Sequence, residues 1–319
     1  RQEVVLGNQF QFGNADWYNG WVFDGSRWDW DSESFRLTAL FMQLGSDDGD
    51  VNQVSSFLNS HDDDSLYALY FTLKTIENVE LDLYWIFIDG HGGASGGSGS
   101  TVGSQGNKVG NANFVIGDDG VTAYYHTLGA RIGGLFPSIA AGLDWNVEAA
   151  FQFGNQKTSG SGGDDDVQGW TVEAEVGLTF NKNSMFRAYV RFLFAEGPNN
   201  DDSGYVPLYA NRHSNGGFRA RYGLFDLIPM ANVLTLQGGL TFNPAADWTI
   251  GATVLWATTD EDYSNFGAGN DDDYGWEIDV FGEYRYSQNL TMGVGAAVLF
   301  PDDQGEFVWG TDDDTQYFF

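Results

Sequence analysis

Val167-Gln-Gly-Trp-Thr-Val-Glu-Ala-Glu-Val-Gly-Leu-Thr-Phe180 decides the fold of this chain. From Trp170 onward every even position is apolar: Trp170, Val172, Ala174, Val176, Leu178 and Phe180. The odd positions are Thr171, Glu173, Glu175, Gly177 and Thr179. Side chains alternate across a strand, so the stretch reads as a strand with one apolar and one polar face. After Asn181-Lys182-Asn183 the alternation resumes, with Phe186, Ala188, Val190, Phe192 and Phe194 on one face and Arg187, Tyr189 and Arg191 on the other. A hairpin over Val167–Ala195 follows. Pairing about its turn places Arg191 opposite Glu173 and Arg187 a diagonal step from Glu175.

The same period extends in both directions. Upstream, Val22–Asp31, Phe35–Leu44, Leu66–Thr75, Glu80–Ile88, Val121–Ile132 and Leu143–Phe153 alternate, and Arg1–Leu6 reads as a short strand. Downstream, Leu234–Asn243, Asp247–Ala257, Asp273–Tyr286 and Leu290–Phe300 alternate, and Thr315–Phe319 begins one more. The count is about fourteen strands in one domain over residues 1–319. Short turns such as Asn181–Asn183 and Ser287–Asn289 alternate with long loops, most of which carry Asp clusters. The run Gly90–Gly120 has linker composition.

Alternation by itself leaves two arrangements open: a soluble barrel or sandwich with the apolar face inside, or a membrane barrel with that face outside. Loop asymmetry and aromatic placement favour the second. Trp145, Phe180, Phe242, Trp248, Tyr284 and Tyr286 stand at short-turn ends of strands, and Trp170, Phe194, Trp256, Trp276 and Phe300 at long-loop ends. Two aromatic levels on an apolar face match two membrane–water interfaces, and a spanning strand needs only ~9–11 residues. The expected fold is all-β, a transmembrane antiparallel up-and-down β-barrel. Short turns then lie in the periplasm and long loops outside.

Composition narrows function. The chain has 45 acidic and 14 basic residues, a net charge of −31 and no cysteine. That balance excludes a nucleic-acid partner, which needs a basic footprint, and the missing thiols exclude disulfides and thiol chemistry. The histidines, His61, His91, His126 and His213, assemble no catalytic set and no metal-binding spacing. Enzyme activity is not expected, and no cofactor is implied beyond Ca²⁺ in acidic loops.

Short motifs at both ends carry a resemblance. Arg1-Gln2-Glu3 resembles the Gly-Arg-Gln element, without its Gly, of the alginate-export family of outer-membrane porins, and Phe23-Asp24-Gly25-Ser26-Arg27 resembles that family's Phe-Asp-Gly-x-Arg element. Gly223-Leu224-Phe225-Asp226-Leu227, Asn232 and Phe300-Pro301 are similar to its closing pattern. The resemblance implies a single barrel of eighteen strands in a Gram-negative outer membrane. Four preceding strands would bring the about fourteen here to that even number, so the chain reads as a fragment lacking its first strands and a few C-terminal residues.

Projecting the polar face inward gives candidate pore-lining residues: Arg27, Asp29, Lys74, Arg131, Glu148, Glu173, Glu175, Arg187, Arg191, Glu277, Asp279, Glu283 and Arg285, with Glu80, Asp82 and Asp144 on the same face. Their carboxylates outnumber their bases, unlike a wall built for a polyuronate. Arg212, Arg219 and Arg221 would form a positive patch if their loop folds inward. The Asp62–Asp64, Asp164–Asp166 and Asp271–Asp273 runs (Asp62, Asp63, Asp64, Asp164, Asp165, Asp166, Asp271, Asp272, Asp273), with Asp312–Asp314, offer hard oxygen ligands suited to Ca²⁺ without the spacing of a defined calcium loop. The expected function is passive passage of small or polymeric hydrophilic solutes, a polysaccharide among them, in contact with outer-membrane lipid and lipopolysaccharide. The alternative is a structural or adhesive barrel whose Asp-rich loops bind divalent cations, lipopolysaccharide or a partner.

Overall fold

A computed structural model describes residues 2–13, 23–43, 65–90, 121–158, 164–181, 185–198, 203–208, 221–225, 230–261, 273–303, 305–306 and 315–318. Among them thirteen strands form one antiparallel sheet in chain order. They are β1 (Asp24–Asp31), β2 (Phe35–Gln43), β3 (Ser65–Leu73), β4 (Val79–Gly90), β5 (Val121–Phe136), β6 (Gly142–Thr158), β7 (Asp164–Asn181), β8 (Phe186–Ala195), β9 (Val233–Phe242), β10 (Trp248–Thr258), β11 (Asp273–Arg285), β12 (Thr291–Pro301) and β13 (Gln316–Phe318). Each pairs with its neighbour in sequence, the up-and-down order that short turns between amphipathic strands dictate. β1 and β13 are the two edges.

The alternation in sequence becomes a division of faces. Trp170, Val176, Val190, Leu236, Val254, Ile278 and Val280 are exposed, while Thr171, Glu173, Thr235, Gln237, Thr253, Glu277 and Asp279 are buried. The apolar side chains point away from the interior, the reverse of a soluble sandwich. The aromatic levels are in register: Trp256 opposes Trp276, and Trp276 opposes Phe300. At the other level Trp248 opposes Tyr284, with ring centroids 4.8 Å apart.

Three local readings change. Arg1–Leu6 is no strand: among its described residues only Gln2 bridges, to Phe23, and the chain then turns through Gly7 into the interior. Strands β5, β6 and β7 run longer than their apolar periods, so the connection between β6 and β7 shrinks to 159–163 and Asp164–Asp166 pair with Asn155–Lys157 as backbone of β7. Ladder hydrogen bonding continues there without apolar alternation, which periodicity cannot detect. Asp273 opens β11, where the alternation also begins, whereas Asp62–Asp64, Asp271, Asp272 and Asp312–Asp314 lie outside the described residues. Finally, the β7–β8 ladder shifts register between Thr179 and Asn181, so Arg191 opposes Glu175 and Leu193 opposes Glu173. An irregularity beside a turn displaces the pairing while keeping each side chain on its face.

Candidate functional site

The buried face of the sheet carries two layers. Towards the ends of strands that meet the long connections it is apolar: Leu66, Ile88, Tyr125, Leu193 and Val233 are buried in one cluster. Three segments from outside the sheet complete it, supplying Val4, Phe10 and Phe12, then Tyr205 and Leu208, then Tyr222. Residues 2–13, 203–208 and 221–225 therefore fill this part of the interior. Gln152 anchors the second of them, donating to the Val206 carbonyl at 2.8 Å and accepting from the Val206 amide at 2.7 Å. Tyr205 meets Gln11 at 3.2 Å, joining the first segment to the second. Burial pushes the Tyr205 phenol well above its usual range, so it keeps its proton.

The second layer is polar and nearly continuous. On β3 to β6, Tyr70 donates to Asp82 at 2.8 Å and Arg131 Nε to the same oxygen at 2.5 Å. Arg131 also pairs with Glu80 and donates to Asn146 at 3.1 Å. Tyr84, stacked on Tyr70 at 5.4 Å, donates to Glu148 Oε1 at 3.0 Å. The Tyr84 ring lies over Gly129, its cross-strand neighbour, where a Cβ would stand 2.2 Å from the ring. Glycine opposite a tyrosine lets the ring lie flat on the wall.

On β6 to β9, Arg187 spans Asp144 at 2.9 Å and Glu175 at 2.6 Å. Arg191 takes the other Glu175 oxygen at 2.8 Å and donates to Gln237 at 3.0 Å. Tyr189 lies between the two guanidiniums, 4.9 and 5.6 Å from them. Glu173 accepts a two-pronged bond from Arg221 at 3.1 and 2.5 Å, and it also accepts from Tyr222 and, at 2.9 Å, from Asn8. On β10 and β11, Thr253 donates to Asp279 at 2.6 Å and the Phe225 amide to Glu277 at 3.0 Å. Residues 221–225 thus touch β7 and β11 together, so the sheet curls around them.

The candidate lining residues fall into two groups. Arg131, Glu148, Glu173, Glu175, Arg187, Arg191, Glu277 and Asp279, with Asp82, Glu80 and Asp144, make up this polar layer. Arg27, Asp29, Lys74, Glu283 and Arg285 stand apart from it. Arg27 and Asp29 pair at 2.7 Å on β1, Lys74 bridges to Asp31, and Arg285 approaches Asp247 at 3.7 Å. Arg221 folds inward, where it is an ion pair with Glu173 and no open cationic patch; Arg212 and Arg219 lie outside the described residues. Among the described residues no three acidic or histidine side chains gather to hold a metal.

Sequence reasoning missed Tyr70, Tyr84, Asn146, Gln152 and Gln237, which read as ordinary strand residues, and it missed residues 2–13 as an insert. One signal was available for Tyr84. Tyr84 opposes Gly129 and Tyr189 opposes Gly239, a large residue facing a glycine on the polar face.

A profile described as alginate export matches residues 1–317. The chain belongs to the alginate-export family. Its amphipathic up-and-down sheet is the wall of a porin-like transmembrane β-barrel of that family. No curated protein sequence matches the chain. Among solved structures it is similar to the siderophore receptor PirA from Acinetobacter baumannii, at 10% identity and a TM-score of 0.41, over 85% of this chain and 38% of that one. It is also similar to the toluene transporter TodX of P. putida, at 10% identity and a TM-score of 0.31, over 88% and 76% of the two chains. The CymD monoaromatic hydrocarbon channel aligns at 11% identity and a TM-score of 0.32, over 86% and 76%. The chain therefore spans well under half the length of the first of these.

Proposed function

We propose that this member of the alginate-export family is a passive outer-membrane channel for hydrophilic solutes, with the buried polar face as the wall of the path. The observation that carries the reading is the inversion of faces: apolar side chains exposed outward, ionisable and hydrogen-bonding ones inward. Such a wall lets a polar solute exchange water for protein partners, and in it rings of charged side chains set selectivity. Arg131, Glu148, Glu173, Glu175, Arg187, Arg191, Glu277 and Asp279 line the path, and residues 2–13, 203–208 and 221–225 constrict it. The exposed bands of Trp, Tyr and Phe contact outer-membrane lipid and lipopolysaccharide. Alginate itself is a poor fit, because the wall arginines are already held by carboxylates.

The filled interior favours one second reading, an occluded barrel whose acidic loops bind cations or a surface partner. Single-channel recording in planar bilayers separates the two. Discrete, reproducible open steps are expected for the channel. A membrane that stays silent after verified insertion, from a protein that still binds Ca²⁺, refutes it in favour of the occluded barrel.

A further inference from the structure

Arg221 does not belong to the wall that it neutralises. It stands in the connection between β8 and β9 and reaches across the interior to Glu173 on β7, with both residues almost completely buried. Its Nε and Nη2 donate to Glu173 at 3.1 and 2.5 Å, and its Nη1 donates to the Asn8 carbonyl at 2.6 Å. The Phe10 and Tyr222 rings lie 5.9 and 5.7 Å from the guanidinium carbon. A carboxylate fork, a carbonyl and aromatic faces suit a planar cation.

Among the described residues the wall gives Glu173 no hydrogen-bonded cation: Arg191 acts on it only through space while paired with Glu175. The cross-strand neighbours of Glu173 are Glu148 on one side and Leu193 on the other. Like charges placed opposite each other repel. Glu148 has one oxygen on Tyr84, while its Oε2 is buried without a hydrogen-bond partner among the described residues. Arg131 is held by Glu80 and Asp82, and Arg191 by Glu175. When residues 221–225 withdraw, two adjacent carboxyl groups, the Asn8 carbonyl and the Phe10 ring are left facing the space that a cation occupied, beside Arg191, which stays paired with Glu175 but loses the Arg221 carbonyl that it donates to at 2.7 Å.

We infer that Glu173, with the Asn8 carbonyl and the Phe10 ring, is a subsite for a guanidinium or ammonium group of the transported solute, which Arg221 fills from within the chain when residues 221–225 are seated. This rests on the channel reading. The exchange is one cation for another, so the buried carboxylate is never left bare. A tethered ligand competes at an effective concentration in the millimolar range, and a net charge of −31 concentrates cations at the protein surface against it.

Chemical rescue tests the subsite without requiring conduction. Arg221→Ala is folded in lipid vesicles and unfolded in urea with methylguanidinium chloride or, at equal ionic strength, potassium chloride. Arg221→Ala is expected to lower the urea midpoint, and methylguanidinium to restore most of the loss with a saturable, millimolar dependence. The Arg221→Ala/Glu173→Gln double variant, which removes both charges, is expected to show no rescue. Equal restoration by potassium, equal rescue of the double variant, or no rescue overturns the subsite. Planar-bilayer recording of the same proteins judges the channel separately. Silent membranes with rescue intact refute passage and keep the site, whereas open steps without rescue keep the channel and refute the site.

Discussion

Placing an arginine at Val190 tests which medium the apolar face meets. Val190 is half exposed on β8, in a cross-strand row with Val176, Gly238, Val254 and Ile278. On β7 the aromatic levels are marked by Trp170 and Phe180, with Val176 just past the midpoint between them. At roughly 3.3 Å per residue the interval is about 33 Å along the strand, and a tilt of about 40° projects it to about 25 Å. That is the height of the apolar band of a membrane barrel, so the Val176–Val190 pair sits near the bilayer midplane. Arginine there costs about 2–4 kcal/mol, falling to about 0–1 kcal/mol near an interface. Val190→Arg is therefore expected to destabilise the vesicle-folded protein by about 3 kcal/mol, and Tyr286→Arg, at the exposed short-turn end, by less than about 1 kcal/mol. Both are read by urea titration, following tryptophan fluorescence and the gel-mobility shift of the folded barrel. Equal costs at the two positions would mean that the apolar face does not lie along a depth gradient, and the membrane reading would fail.

Two further perturbations address the interior. Glu175→Gln removes the carboxylate shared by Arg187 and Arg191 and leaves two largely buried guanidiniums short of a partner, which is expected to cost about 3 kcal/mol of unfolding free energy by the same titration. Asp31→Asn, at an exposed pair with Lys74 and Arg36, should barely move the urea midpoint, and a comparable loss at both sites would refute the claim that burial makes the inner network matter. Gly7→Ala is expected to unseat residues 2–13: Gly7 has φ +52°, and an added Cβ would stand 2.1 Å from the Tyr70 hydroxyl. Limited proteolysis should cut within residues 2–13 faster in the variant, and unchanged cleavage would show that the segment is not held there.

Trp170–Phe180 announced both the strand and its faces, because strand alternation is a property of neighbouring residues and needs no knowledge of the rest of the chain. The same logic placed Glu173, Glu175, Arg187 and Arg191 on one face. It failed at Arg1–Leu6, where an apolar period belongs to an insert whose Val4 and Phe10 pack against the wall. It also failed at Asp164–Asp166, where backbone pairing outlasts the apolar pattern.

Apart from Arg1–Leu6 and the strand ends, the sequence by itself determined the strands, their order and the chemistry of each face, all of which follow from short-range periodicity and short turns. The tertiary structure alone decided the register of Glu175 against Arg191, the filling of the interior, and the partner of Glu173. That partner is Arg221, 48 residues away, joined by Asn8 from 165 residues away. Contacts between residues so distant in sequence form only when the sheet curls and brings them to one place. The low dielectric of that place, where a buried carboxylate must find a cation, selects among them.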